Sequence, residues 1–320
     1  MQYAVHHVTH FRYEHPVSES IMEVRMRPRN DQRQRCYAFS LDVEPATNVF
    51  WFEDGDKNLV HHFNIPNRHD TLKLTAESVV EVKAHPLPDR LAHSAWDALD
   101  ALFDDGQFWS YTHPTALTQP SDLLSTFASE LDWGRRADPL SLLKALTATI
   151  RNTFDYDGQA THVHSPIDDA LANRKGVCQD FAHIFIALAR QLSVPCRYVS
   201  GYLFHNPDSD QSADDATHAW AEAYLPELGW VGFDPTNNLV VDDRHIRVAV
   251  GRDYRDVPPT RGIFKGDTTS ALEVGVRVVP SAMTFDEQWS PVMVAVRQDS
   301  GAADETTPLP LVYSSQQQQQ

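Results

Sequence analysis

Hydrophobic patterning divides the chain into regions of different period. From residue 1 to about 83, apolar and polar residues alternate loosely, in 3–13, 36–44 and 72–82. That is the two-residue period of strands with one buried face. Clusters of Asp, Gly and Asn such as 53–58 punctuate these runs as turns. Pro86 and Pro88 mark a break, which predicts an antiparallel β domain over residues 1–88. Helical spacing then takes over at 94–103, from Ser121 behind Pro120, and at 139–150 with Pro139 in a first-turn position. Residues 176–192 are apolar all round, with no Gly or Pro after Gly176, and read as a buried helix with Gly176 and Cys178 at its N-terminal edge. Strand patterns follow at 195–204, then an acidic loop at 206–215. Two further strands, 218–225 and 229–234, are joined by a short turn, and more strand pattern runs from about 272 to 297. The expected fold class is α+β. The β-rich domain (1–88) precedes a mixed domain (89–297) and a disordered tail (298–320) that ends in five glutamines.

Composition narrows the chemistry. Of 320 residues, 42% are hydrophobic and 22% charged, enough for a full core in a globular protein. Twenty-seven Lys and Arg against 44 Asp and Glu give a net charge of -17, which argues against nucleic acid or an anionic membrane as a partner. The first 15 residues lack an apolar signal region, and nowhere do about 18 apolar residues run together, so a cytoplasmic protein is expected. Three cysteines, Cys36, Cys178 and Cys196, are too few for a disulfide framework. There is no glycine-rich phosphate loop, and no cofactor is expected.

In a reducing compartment, a lone cysteine within a motif is a candidate nucleophile. A thiol becomes reactive as thiolate, and a helix N-terminus assists through its partial positive charge. Its first-turn N–H groups can also hold a developing oxyanion. Cys178 is placed for both roles. An imidazole must then act as base and acid, and a third group must orient it. Among 16 histidines, His218 stands out because it opens an alternating strand after the acidic loop, and Asp234 ends the next strand just before Pro235. Neighbouring strands would set the two side by side. From spacing alone the choice stays open between nucleophile and small buried hydrophobe for Cys178, and between catalytic and structural roles for His218 and Asp234.

A resemblance bears on that choice. Gly176-Val-Cys-Gln-Asp-Phe-Ala with Arg190 and Val194-Pro-Cys-Arg-Tyr-Val-Ser-Gly-Tyr resembles the nucleophile block of the transglutaminase-like superfamily. Thr217-His-Ala-Trp-Ala-Glu-Ala-Tyr resembles its histidine block, and Gly229-Trp-Val-Gly-Phe-Asp-Pro-Thr-Asn its aspartate block. Residues 3–82, with His10, Tyr13, Arg25 and Pro28, resemble the N-terminal β region of bacterial members, and the segment from Gly251 to Gly262 resembles one found downstream in the same group. The resemblance implies a papain-like α+β core, with a cysteine-bearing helix packed on an antiparallel sheet that carries histidine and aspartate. It assigns Cys178 as nucleophile, His218 as base and Asp234 as orienting group, and implies acyl transfer through a thioester on a peptide or protein amide. Hydrolysis, as by a cysteine protease or amidase, is the first expectation. Amine transfer and a non-catalytic binding module on the same fold are the alternatives.

Secondary candidates are fewer. Tyr156 resembles an aromatic position common in the family and is the candidate oxyanion or substrate residue, against a packed ring with a satisfied hydroxyl. Trp220 is expected to pack beneath the site, and Asp180 to bind the helix N-terminal N–H groups. Arg252, Asp253 and Tyr254 either shape a pocket or pair with one another. Cys36 and Cys196 are expected to be inert core residues. His162 and His164 lack companion ligands at metal spacing, so no metal site is expected there.

Overall fold

The computed structural model describes residues 1–106, 108–206, 208, 210 and 216–281. The chain divides into two compact units: residues 1–82 with 258–281, and Lys83–Val257.

The first unit begins with strands β1 (Gln2–Val17), β2 (Glu19–Val24), β3 (Gln34–Glu44), β4 (Phe50–Glu53), β5 (Leu59–Ile65) and β6 (His69–Val82). Their alternation is the expected one. In β1 Tyr3, Val5, His7 and Thr9 are buried, and in β6 Leu72, Leu74, Ala76, Ser78, Val80 and Val82. Successive strand side chains point to opposite faces, so each strand contributes one apolar row.

The second unit supplies helices α1 (Ala95–Asp104), α2 (Trp109–Thr112), α3 (Asp122–Glu130) and α4 (Pro139–Thr153). Ser121 accepts the Leu124 N–H at 3.1 Å to cap α3, and Asp138 accepts the Ser141 N–H at 3.1 Å, with Pro139 in the first turn of α4. The chain continues through β7 (Asp155–Tyr156), α5 (Ile167–Asn173), β8 (Lys175–Gly176) and α6 (Cys178–Gln191). It ends in β9 (Cys196–Leu203), β10 (His218–Leu225), β11 (Gly229–Asp234), β12 (Leu239–Val240) and β13 (His245–Gly251). The last five strands form one antiparallel sheet in the order β12-β11-β10-β9-β13. Helix α6 is buried along its length and packs on β10 and β9. Ala219, Ala221 and Ala223 share one face of β10 and are fully buried, small enough for close packing. Arg190 fixes the far end of α6. Its guanidinium donates to Tyr111 O (2.9 Å), Thr118 Oγ1 (3.0 Å), Cys196 O (2.8 Å) and Arg252 O (2.8 Å).

After β13 the chain returns to the first unit as β14 (Thr260–Lys265) and β15 (Ser270–Pro280). Strand β14 pairs with β2, and β15 pairs with β1 from Tyr13↔Ser270 to Tyr3↔Pro280. The two sheets, β15-β1-β6-β3 and β14-β2-β5-β4, enclose a core that includes Val17, Met22, Val24, Phe39, Leu41, Phe63 and Leu74. Here the structure differs from the expected boundary at 88 and from a mixed domain running to 297. The strand pattern near 272 is real, but its pairing partner lies more than 250 residues earlier, and periodicity carries no record of partners. Residues 282–297 and the tail 298–320 lie outside the described residues.

Candidate active site

The short parallel pair of β7 and β8 sets Tyr156 opposite Gly176, two residues before Cys178. The chain turns directly into α6, with Cys178 its first residue. Asp180 secures the turn, its Oδ2 accepting the Val177 N–H at 2.9 Å and the Thr161 hydroxyl at 2.6 Å. This is the role expected of it, and burial pushes its carboxyl up to about 6 despite those two bonds. Gly176 is there for a steric reason. A Cβ there would lie 2.8 Å from Asp180 Oδ2 and 3.0 Å from Asp180 Cβ, so the absent side chain makes room for the capping carboxylate.

Strand β10 brings His218 to the same place. Register pairs it with Gly201 of β9, while Ala221 pairs with Phe233 of β11. Continued by one step, that register sets Asp234 across from Trp220, within reach of the imidazole two residues along. His218 Nε2 donates to Asp234 Oδ2 at 2.8 Å, and both side chains are buried. Nδ1 is buried without a hydrogen bond of good geometry, and the Cys178 sulfur lies within polar-interaction range of the ring. Thiol–imidazole contacts are commonly loose without a bound substrate and tighten when one binds.

The electrostatics follow from burial and charge. Burial works against the His218 cation, but the Asp234 carboxylate outweighs it, and with the Cys178 contact holds the imidazole well above its ordinary range. Burial works against the Asp234 anion too. His218, and His245 after it, outweigh that and hold the carboxyl far below its usual range. Its Oδ1 accepts the Thr236 N–H (3.0 Å) and the Asn237 N–H (3.3 Å), and its Oδ2 accepts Asn237 Nδ2 (2.9 Å) and His245 Nε2 (3.2 Å). Asp234 is therefore an anion fixed from every side.

Other residues gather around this centre. Tyr198 and Tyr254 are buried, and their hydroxyls are held protonated first by burial, with Cys178, where ionised, adding to the effect. The Tyr254 N–H donates to His183 Nε2 at 3.2 Å, and burial keeps that imidazole neutral, down to about 3. Trp220 packs as expected, its ring 6.0 Å from His218 and 5.3 Å from His245. Arg252 pairs with Asp256 (2.9 and 3.0 Å) and Asp253 caps the turn Tyr254–Asp256, so the polar cluster separates and Tyr254 alone interacts with Cys178. Tyr156 is half-buried beside Gly176, two residues before Cys178. Cys36 and Cys196 are buried free thiols, and burial pushes Cys196 up to about 12. His162 and His164 are exposed.

The ligand atoms of His218, Asp234 and His245 lie within 4.8 Å of one another, close enough to be tested as a metal site. Their contacts are proton-sharing distances, and the remaining Asp234 lone pairs are filled by Thr236 and Asn237. The arrangement is that of an acid–base chain rather than a cation cage.

Sequence reasoning missed His245, Tyr198 and His183. Nothing in the local sequence separates His245 from the other histidines, because the signal is the closing of the chain from 235 to 244. Tyr198 stands inside the nucleophile block quoted above, but as one aromatic in a strand it carries no sign of facing Cys178.

Known proteins share this chain's sequence and fold to differing extents. Residues 3–81 match the bacterial transglutaminase-like N-terminal region, and residues 127–235 match the transglutaminase-like superfamily. An uncharacterized protein of Mycobacterium tuberculosis is 35% identical over 303 residues, covering 87% of this chain and 93% of the relative. A protein-glutamine gamma-glutamyltransferase of Pseudomonas aeruginosa is 30% identical over 112 residues, 29% of this chain and 16% of that protein. Among solved structures, a "Putative Cysteine Protease" from Cytophaga hutchinsonii superposes with a TM-score of 0.68 at 23% identity, covering 90% of this chain and 95% of that one. The last likeness establishes the fold.

Proposed function

Because the chain belongs to the transglutaminase-like superfamily, we propose that it is a thiol enzyme that cleaves a peptide, isopeptide or side-chain amide through an acyl group carried on Cys178. The observation that carries the reading is that Cys178, first residue of a buried helix, meets the buried pair of His218 and Asp234, joined at 2.8 Å. In this mechanism the Cys178 thiolate attacks the amide carbonyl, and the first-turn N–H groups of α6 receive the oxyanion. The His218 imidazolium gives its proton to the departing nitrogen, so an amine or ammonia leaves and a thioester remains. Water, deprotonated by the now neutral His218, attacks the thioester, releasing a carboxylic acid and restoring the thiol. Asp234 keeps Nδ1 turned toward sulfur by holding Nε2. Tyr156, opposite Gly176, is a candidate to contact the substrate carbonyl.

A second reading is favoured by the relative named a gamma-glutamyltransferase: a primary amine in place of water resolves the thioester. The substrate in either case is a peptide or protein amide, and no nucleic acid or membrane enters the reaction. No described helix is long and apolar enough to cross a membrane. With all three cysteines free, we assign the chain to a reducing cytoplasm, where Cys178 stays a thiol.

The test is alkylation of the native protein by iodoacetamide across pH, read residue by residue by peptide mass spectrometry, with His218→Ala alongside. Rapid alkylation of Cys178 well below pH 8, lost in His218→Ala, is the expected result. Indifference of Cys178 to the loss of His218 would sink the thiol reading and leave a binding module on the same fold. Adding a primary amine to a turnover assay then separates the two enzymatic readings by whether free acid or the amide of that amine appears.

A further inference from the structure

Asp234 holds a second imidazole besides His218. His245, at the start of β13, is completely buried, and its Nε2 lies 3.2 Å from the same Oδ2 that accepts from His218. Strands β10 and β9 separate its strand from that of Asp234 in the sheet, so the contact is made beyond the strand ends by the chain closing from 235 to 244. On its other side, Nδ1 lies 3.0 Å from Asp242 Oδ1 and 3.4 Å from the Asp242 N–H. A neutral ring donating to Asp234 would meet Asp242 with a lone pair, satisfied by that longer N–H contact alone. A protonated ring donates to a carboxylate at each end, and two anions offset the cost of burying one cation.

We infer that His245 is a positioning residue for His218: a cation clamped between Asp234 and Asp242, it competes for the carboxylate oxygen that grips the catalytic imidazole and so weakens that grip. The machinery is thus a five-membered chain, Asp242–His245–Asp234–His218–Cys178, anchored at a half-exposed carboxylate. An aspartate serving His218 alone would raise the imidazole's proton affinity further and make the imidazolium a weaker acid toward a leaving nitrogen. Sharing the oxygen moderates this. The His218 and His245 rings stand 6.3 Å apart, and two unit charges at that distance in a medium of dielectric about 20 shift each other's titration by about one to two pH units. Among the described residues, Arg244 stands 3.3 Å from Asp242 and 2.9 Å from Asp210, and His205 stands 3.9 Å from Asp210. Arg244 balances Asp242 and Asp210, and neither Arg244 nor His205 hydrogen-bonds the Asp234 oxygen.

The kinetic consequence rests on the proposed thiol chemistry; the coupling between the two rings does not. The experiment is a titration of the full chain with nitrogen-15 labelled histidine, followed by NMR, in the wild type and in His245→Gln. Glutamine can still donate to Asp234 but carries no charge. In the wild type, His245 is expected to titrate well above 6.5. In His245→Gln, the His218 midpoint is expected to rise by about one to two units, with the alkaline limb of Cys178 alkylation moving with it. A wild-type His245 that titrates at or below 6.5 overturns the inference without any variant. So does a folded His245→Gln whose His218 midpoint stays put, since a merely structural role would lower stability and leave that midpoint unmoved. Failure of the thiol reading looks different, because Cys178 alkylation would then ignore His218 while the coupling between the rings remained measurable.

Discussion

Replacing Asp234 by asparagine is the most searching perturbation of this site. Every hydrogen bond to the Asp234 side chain comes from a donor: Thr236 N and Asn237 N on one oxygen, and His218, His245 and Asn237 Nδ2 on the other. An asparagine side chain must turn its NH2 toward one of these groups whichever way it is flipped. If the amide faces the imidazoles, His218 can pair with it only by accepting at Nε2, which moves its proton to Nδ1 and leaves no base beside Cys178. The lost attraction can be sized. Charges about 4 Å apart at an effective dielectric of about 20 attract by about 4 kcal/mol, or about three pH units of imidazole affinity. Asp234→Asn should therefore lower the His218 midpoint by about three units and move the pH profile of Cys178 alkylation with it.

Stability changes in the same experiment with a defined sign. His218 is raised in the folded state, so its contribution is full below about 6.5 and is lost as pH rises through the folded value. Asp234 is depressed, so its contribution is full above about 3.9 and is lost as pH falls toward the folded value. The stability gap between wild type and Asp234→Asn, read by urea denaturation, should be widest between about pH 4 and 6.5 and narrow on both sides. A gap constant from pH 3 to 9, or an unchanged alkylation profile, would refute the reasoning.

Two further substitutions test what holds the nucleophile in place. Gly176→Ala sets a Cβ 2.8 Å from Asp180 Oδ2, and should cost about 1–3 kcal/mol in denaturant unfolding while slowing alkylation of Cys178 by displacing the start of α6. Arg190→Lys keeps a charge but cannot reach all of Tyr111 O, Thr118 Oγ1, Cys196 O and Arg252 O; the groups left unpaired should cost about 2–4 kcal/mol, and an unchanged midpoint would show that these bonds contribute little.

The sequence by itself determined the local elements and the identity of the residues that meet. Two-residue alternation fixed which faces of β1 and β6 are buried, and the apolar-rich stretch after Gly176, free of further Gly and Pro, made α6 a buried helix with Cys178 at its start. Ser121 and Pro139 announced their helices for reasons confined to one turn. The His218 and Asp234 strands were legible because a short hairpin joins them, so their proximity is nearly a local property. What needed the tertiary structure is what depends on distant pairing. The return of β14 and β15 to the first unit is set by hydrogen bonds to β2 and β1, and no pattern within residues 258–281 encodes that partner. The seating of His245 on Asp234 likewise arises where the ends of separate strands converge, and the interaction of Tyr198 and Tyr254 with Cys178 where a strand, a turn and a helix meet. A side chain's chemistry is written in its own residue. Its pKa and its partner are properties of the space the whole chain closes around it.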